Sequence, residues 1–418
     1  MQLVCGRGSL TSQQTDLIAV SSFAPAKPEE GPPILKRGDG GVEVDKALGG
    51  MLTDTLRRGA FRAEPGAFRL IPTCGKLPAR YVLLLGAGRE KGFTLETLRQ
   101  QGAAIQKAAQ QVKAATAAGV LQPERVQRLS PRDRARALVE GLSLGSYRFD
   151  RYKAKEDRAE PSLAVMTLLV WRERAAVEGA MREGQWLADA AIYVRDLVNL
   201  PGNVCTPQYL AEQARQVARH GKLQCTILDQ KQILAQRMHL LIAVSQGAPN
   251  PPVFCHLRYT PPKKPTTHIA LVGKGVTFDT GGLDLKTAKH MEHMKNDMAG
   301  AATVLAAMRV AALAKPSCLI DAFLPCTENV IDGKAHRPGD IVTARSGTTV
   351  ELLNLDAEGR LILADALDYA LAQKPDYLID VAGESAACGG PPNRRADVAV
   401  ATRTGIQKRV HVGACAAA

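Results

Sequence analysis

Short continuous apolar runs and longer amphipathic stretches take turns along the first part of the chain. Residues 80–86 form an apolar run closed by glycine and predict a buried strand. Residues 94–118, rich in Ala, Gln and Lys, predict a long helix, and residues 162–171 a second buried strand. Helical periodicity then runs from 172 to 200 and stops at Asn199-Leu200-Pro201-Gly202-Asn203. Further on, strand-like runs at 224–228, 239–244, 268–273, 317–325 and 376–381 alternate with helical ones, among them 361–372 and an Ala-rich segment ending near Leu313. This alternation predicts an α/β fold of two domains. A smaller N-terminal α/β domain spans 1–171; 172–418 holds a connecting helix and a larger domain with a mainly parallel, mixed sheet flanked by helices. In such sheets ligands gather at the carboxyl ends of strands, where Lys274, Asp279 and the segment after Pro325 fall.

A length of 418 residues exceeds one ordinary core and agrees with two domains. Hydrophobic content is 45%, and no apolar run approaches the ~20 residues of a membrane helix. Met1-Gln2-Leu3-Val4-Cys5-Gly6-Arg7 lacks the apolar core of a signal peptide, so a soluble cytoplasmic protein is expected. Nine scattered cysteines without a C-x-x-C pair argue for reduced thiols and against a thiolate zinc site. His290 and His293 stand three apart without an H-E-x-x-H pattern and read as surface residues. The net charge of +13 raises the question of an anionic partner. Its excess is dispersed, at Arg57-Arg58, 132–136, Lys263-Lys264 and Arg394-Arg395, and only 4% of residues are aromatic. Solvated surface charge is therefore the main reading and nucleic-acid binding a minor one.

The densest chemistry lies at Asn354-Leu355-Asp356-Ala357-Glu358-Gly359-Arg360. In an extended segment, Asp356, Glu358 and Arg360 share one face, which suits a hard divalent cation with an anion or substrate beside it. Upstream, Lys274 follows a strand-like run, and Asp279, Gly281, Gly282, Lys286 and Asp297 come in quick succession. Taken singly, Asp356 and Asp297 are equally well read as helix N-caps, with Glu358 favourably placed in a first turn. Met294, taken singly, reads as core packing. Lysine is a poor metal ligand until it loses a proton, a loss that two adjacent cations would promote.

The order and spacing of Leu271 to Gly282, Lys286, Met294-Lys295-Asn296-Asp297-Met298 and the Asn354 to Arg360 motif resemble the leucine aminopeptidase (cytosol aminopeptidase) family of di-metal exopeptidases. Asp196-Leu197-Val198-Asn199 with Thr206-Pro207 resembles the start of that family's catalytic domain. The resemblance implies that Lys274, Asp279, Asp297, Asp356 and Glu358 hold two divalent ions, with Asp279 and Glu358 bridging. Zinc or manganese is expected, magnesium or cobalt being alternatives that a carboxylate-rich site accepts. Two such ions would activate a water, polarise the scissile carbonyl and hold the free α-amine of a peptide substrate. Lys286 would donate to the developing oxyanion, Arg360 would hold a bicarbonate-like anion, and Met294 would line a pocket for leucine-like residues. A homo-hexamer is implied as well.

The sequence departs from the family at three places. Leu355 replaces the usual threonine, its side chain expected to point away from Asp356 and Glu358. Gly383-Glu384-Ser385 stands where a threonine- and glycine-containing loop is expected. The resemblance runs from about the thirties to Ala382, and the tail 384–418 reads as atypical, without periodicity until weak runs near its end, as in a C-terminal part truncated or altered. Two rival readings follow: a basic protein acting on nucleic acid, and a di-metal phosphate-ester hydrolase.

Overall fold

In the computed structural model, which describes residues 1–27, 31–36, 38, 40–121, 129–158, 163–382, 396–402 and 405–412, the apolar run at 80–86 lies within a buried strand. The chain divides into two compact units, Met1–Ile192 and Tyr193–Ala418. The first contains β1 (Gln2–Gly6), β2 (Leu17–Ala24), β3 (Ile34–Leu35), α1 (Gly41–Ala47), α2 (Met51–Arg57), β4 (Phe68–Pro72), β5 (Tyr81–Arg89), α3 (Leu95–Gln111), β6 (Thr116–Val120), α4 (Pro131–Gly145) and β7 (Val165–Leu169). Its sheet runs β1-β7-β6-β2-β5-β4, with β3 against β2. The inner pairings are parallel, and β4 and β3 join antiparallel.

Helix α3 opens on a reciprocal cap, in which Thr94 Oγ1 accepts from the Thr97 amide and Thr97 Oγ1 from the Thr94 amide. It ends at Gln111, short of the expected 118, because Lys113 takes a left-handed conformation (φ +49°) and the next residues pair with β2 and β7 as β6. Thr-Ala-Ala-Gly-Val carries no helical face that would have set it apart from the preceding Ala-rich helix.

Helix α5 (Arg174–Asn199) follows and continues into the second unit. There come α6 (Pro207–Gly221), β8 (Gln224–Leu228), α7 (Gln230–Ala235), α8 (His239–Ser245), β9 (Val253–Tyr259), β10 (His268–Gly273), β11 (Gly275–Asp279), α9 (Ala288–Met291), α10 (Ala299–Ala314), β12 (Leu319–Asn329), β13 (Asp340–Thr343), β14 (Thr349–Leu352), α11 (Glu358–Leu371), β15 (Tyr377–Ala382), β16 (Ala396–Thr402) and β17 (Gly405–Val412). The sheet order is β17-β16-β15-β10-β12-β9-β8, with β11 extending along β12 and β13–β14 a separate hairpin. Parallel pairing holds at β15-β10-β12 and β11; the flanks are antiparallel.

Three sequence expectations change here. Residues 239–244 are helix α8, not a strand: the buried Asp365 carboxylate accepts the Leu240 and Leu241 amides at 2.9 and 3.2 Å and so caps the helix. A six-residue apolar run fits either state, and its partner lies 125 residues away. Strand β9, which joins β8 to β12, was not among the expected strands. The tail, read as lacking regular structure until its end, supplies an antiparallel hairpin that extends the sheet from β15.

The core lies between the sheet and helices α8 and α11, with Phe254, Ala270, Val272, Phe323, Ile362 and Ala366 all fully buried. Within Ala288–Ala314 an 18-residue window has a mean hydropathy of 1.4, enough by composition for a membrane span, contrary to the expectation that no run approaches that length. The segment is broken between α9 and α10, and 56% of that window is buried in the domain, as a core helix requires. Gly300 lets α10 lie directly on the sheet, since a Cβ there would stand 2.2 Å from the Val381 carbonyl oxygen. Lys274 is thereby gripped by its backbone: its amide donates to the Val381 carbonyl at 3.0 Å and its carbonyl accepts from Ala301 at 2.8 Å.

Candidate metal centre

The residues expected to act together, one lysine and four carboxylates, come from four places near the carboxyl ends of the parallel strands. Lys274 sits between β10 and β11, Asp279 ends β11, Asp297 precedes α10, and Asp356 and Glu358 lie at the start of α11. The segment carrying the last two is not extended. Asn354 Oδ1 accepts the Asp356 amide at 2.9 Å and closes a 3-10 turn over Leu355–Ala357, after which Glu358 begins the helix. Asp356 and Glu358 therefore converge through a turn and a helix start instead of β alternation. Arg360 is exposed on the first turn and makes no hydrogen bond or ion pair among the described residues, so the same geometry leaves it outside the cluster.

One carboxylate oxygen each from Asp279, Asp356 and Glu358 lies within 4.8 Å of the others. Lys274 Nζ stands 2.7 Å from Asp297 and 2.8 Å from Glu358, with all three residues 4% exposed or less. Lys286 Nζ lies 2.9 Å from Asp279 Oδ2 and also contacts Asp356 Oδ1. Neither Asp297 nor Asp356 caps a helix with its side chain: α10 and α11 have no side-chain cap, and Asn354 serves the turn. Leu355 is fully buried in the core, in line with a side chain directed away from the acids.

Four carboxylates against two lysines leave a formal charge of −2, and the titration directions reflect that crowding. Burial raises the pKa of Asp279, the neighbouring Glu358 charge adds to it, and Lys286 only partly offsets both. Burial likewise raises Asp297 against the pull of Lys274. For Glu358 burial opposes the charge, but the Lys274 ammonium outweighs it and lowers the pKa. Burial also works against the Lys274 ammonium, and the charges of Asp297 and Glu358 overcome it and hold the pKa above the usual lysine value. Oxygen-rich, mostly buried and still net negative, the donor set fits hard or borderline divalent cations.

Met294 is partly buried in a 3-10 turn (Met294–Asn296), three residues before Asp297. His290 and His293 are exposed, as expected of surface residues. The loop that begins at Gly383 lies outside the described residues.

The cytosol aminopeptidase family's catalytic domain matches residues 192–413 and its N-terminal domain residues 34–156. The cytosol aminopeptidase of Pseudomonas aeruginosa is 43% identical over 357 residues, spanning 84% of this chain and 72% of its own. A probable cytosol aminopeptidase of Syntrophotalea carbinolica is 39% identical over 395 residues, 93% of this chain and 77% of its own. The chain belongs to the cytosol aminopeptidase family. Among solved structures, a tomato leucine aminopeptidase mutant superposes with a TM-score of 0.77 at 30% identity, covering 90% of this chain and 72% of its own. The bottromycin maturation enzyme BotP, in complex with Mn, gives 0.73 at 32% identity, covering 88% and 72%. Membership makes this chain an aminopeptidase of the metallo-enzyme class, and the catalytic-domain match runs past Ala382, where the sequence resemblance was expected to stop.

Sequence reasoning gave no role to three residues of this aminopeptidase's centre. Asn329, the last residue of β12, donates to Asp279 and to the Leu355 carbonyl. Asp284 accepts the Leu355 amide at 2.6 Å and ties the loop after β11 to the acidic turn. Gly359 leaves room for Lys274, since a Cβ there would stand 2.9 Å from its Nζ. The signal for Asn329 was its position beyond Pro325, at a strand's carboxyl end.

Proposed function

We propose that this member of the family releases N-terminal amino acids from peptides with two divalent ions, which Lys274, Asp279, Asp297, Asp356 and Glu358 would hold. The observation that carries the reading is the convergence of Asp279, Asp356 and Glu358 oxygens within 4.8 Å, beside a buried Lys274–Asp297 pair. When bound, the ions supply Lewis acidity at the scissile carbonyl and lower the pKa of the attacking water. Lys286, on the more open side of the cluster between Asp279 and Asp356, donates a charge-assisted hydrogen bond to the oxygen that gains negative charge. Arg360, exposed on the first turn of α11, holds a bicarbonate-like anion that shuttles protons. Met294 contributes to an apolar pocket, which favours leucine-like N-terminal residues.

Zinc or manganese is the proposed metal, and the Mn complex of BotP supports manganese. A cytoplasmic homo-hexamer completes the proposal, supported by relatives named cytosol aminopeptidases and by the family resemblance. The test pairs leucyl-p-nitroanilide with p-nitrophenyl phosphate, using chelated protein and protein reloaded with Mn2+ or Zn2+. Metal-restored cleavage of the amide alone is the expected result. Amide cleavage indifferent to chelation, or restored cleavage of the phosphate ester alone, rejects the reading.

A further inference from the structure

Asn329 is 1% exposed and lies opposite Asp279 in the β11–β12 pairing. Its Nδ2 faces three oxygens: Asp279 Oδ1 at 2.9 Å, the Leu355 carbonyl at 3.0 Å and Glu358 Oε2 at 3.5 Å. The amide orientation follows from chemistry, because the opposite one would set Oδ1 against three acceptors. One side chain thus joins the end of β11, the turn before Asp356 and the first residue of α11.

Its effect on Asp279 is selective. Asp279 Oδ1 takes hydrogen bonds from both Asn329 Nδ2 and the Gly281 amide, the latter at 2.8 Å. Oδ2 receives neither, and faces Lys286 at 2.9 Å. An oxygen with two N–H donors in place has its lone pairs occupied, so the other is the one available to a cation.

We propose that Asn329 is a positioning residue that turns Asp279 to present Oδ2 alone to the metal ions and holds Glu358 in register beside it; this rests on the metal-centre reading above. Asn329 touches no substrate and acts through the acids it orients.

The test titrates the chelated full-length protein with MnCl2 alone by calorimetry, for the parent, Asn329→Ala and the near-isosteric Asn329→Leu. Loss of such an outer hydrogen bond typically weakens metal affinity about 10- to 100-fold, and that is the expected shift in both variants. A structure of the Mn-loaded parent should show Asp279 ligating through Oδ2 only, and that of Asn329→Ala through both oxygens. A purely structural role would lower the unfolding temperature of the metal-free variants and leave Mn2+ affinity within about twofold of the parent, a spread too small for an outer-ligand effect. That outcome, or Oδ1 ligation in the parent, overturns the proposal. Should Asn329→Ala not fold, Asn329→Leu decides. Glu358→Gln runs alongside: a parent that binds no Mn2+, or a Glu358→Gln protein that binds like the parent, rejects the metal centre itself. Normal behaviour of those two with unaltered Asn329 variants rejects only the role of Asn329.

Discussion

Arg258 and Asp321 form a two-pronged ion pair across β9 and β12, with Nε to Oδ1 at 2.7 Å and Nη2 to Oδ2 at 2.8 Å. His256 and His268 complete the shell at 2.8 and 2.7 Å, so the fully buried carboxylate has two donors on each oxygen. Burial opposes its charge, but the hydrogen bonds from His256, Arg258 and His268 outweigh that and hold its pKa well below the usual carboxylate range. A depressed carboxylate adds stability that is present above its unfolded pKa of ~4 and is lost as pH falls through the lower folded value. Asp321→Asn should therefore cost about 3 kcal/mol at pH 7, as breaking a buried pair does. Urea unfolding of both proteins should show the gap shrinking below about pH 4. A gap that does not change with pH would mean the charge of Asp321 is not what stabilises β9 on β12.

Glu358→Gln and Asp356→Asn each remove a ligand charge while keeping the side-chain shape. Metal per chain and peptidase activity should fall together, by more than about a hundredfold in kcat/KM, beyond the cost of losing an outer-shell partner. Far-UV circular dichroism should stay that of the parent. Full activity in metal-depleted Glu358→Gln would remove the basis of the two-ion assignment.

Lys286→Met separates the two lysines. The side chain contacts Asp279 and Asp356 from the more open side of the cluster, whereas Lys274 is enclosed by Asp297 and Glu358. Loss of a donor to a developing oxyanion lowers kcat about a hundredfold or more, with metal content retained. Metal loss in this variant, measured by elemental analysis, would make Lys286 a ligand.

Gly359→Ala sets helix propensity against the centre. An alanine inside a helix gains about 1 kcal/mol over glycine, but here its Cβ would lie 2.7 Å from Lys274 Cε. Lys274 is clamped at its backbone by Val381 and Ala301 and has little room to retreat. Reduced Mn2+ content at unchanged or lower melting temperature is expected. A more stable protein of full activity would show that Lys274 is free to move.

Asp380 gives a pH effect of the opposite sign. Burial pushes its carboxyl up to about 6, against one backbone hydrogen bond from Val381. A raised carboxyl pKa favours folding below the unfolded value, and that benefit is lost as pH rises through about 6. Asp380→Asn should thus be more stable than the parent at pH 8, by at most about 3 kcal/mol, and should lose that lead by pH 4. Thermal melts at the two pH values provide the check.

The cluster was legible in the sequence because its lysines and carboxylates sit in two dense segments, each beside a strong apolar run. The geometry was not: Asp356 and Glu358 meet through a capped turn, a device that a two-residue spacing does not distinguish from a strand. Helix α8 was misread because Asp365, its cap, is remote in sequence. Asn329 was missed because a single asparagine at the end of an apolar strand carries no spacing of its own. In the tail, β16 and β17 draw on pairing with β15, and the local pattern gave only weak runs.

Lys274 and Lys286 already neutralise two of the four carboxylates that the ions would meet. That partial neutralisation lowers the repulsion between the acidic ends of β11 and α11, so on the two-ion proposal they would depend less on metal to come together than small zinc domains do, in which binding and folding are one event. Acquisition of the ions would then be a late, exchangeable step on a finished scaffold. On the two-ion proposal, the supply of divalent cations would then set which ions a mature molecule carries, and chelation would silence the protein without sending it back through unfolding.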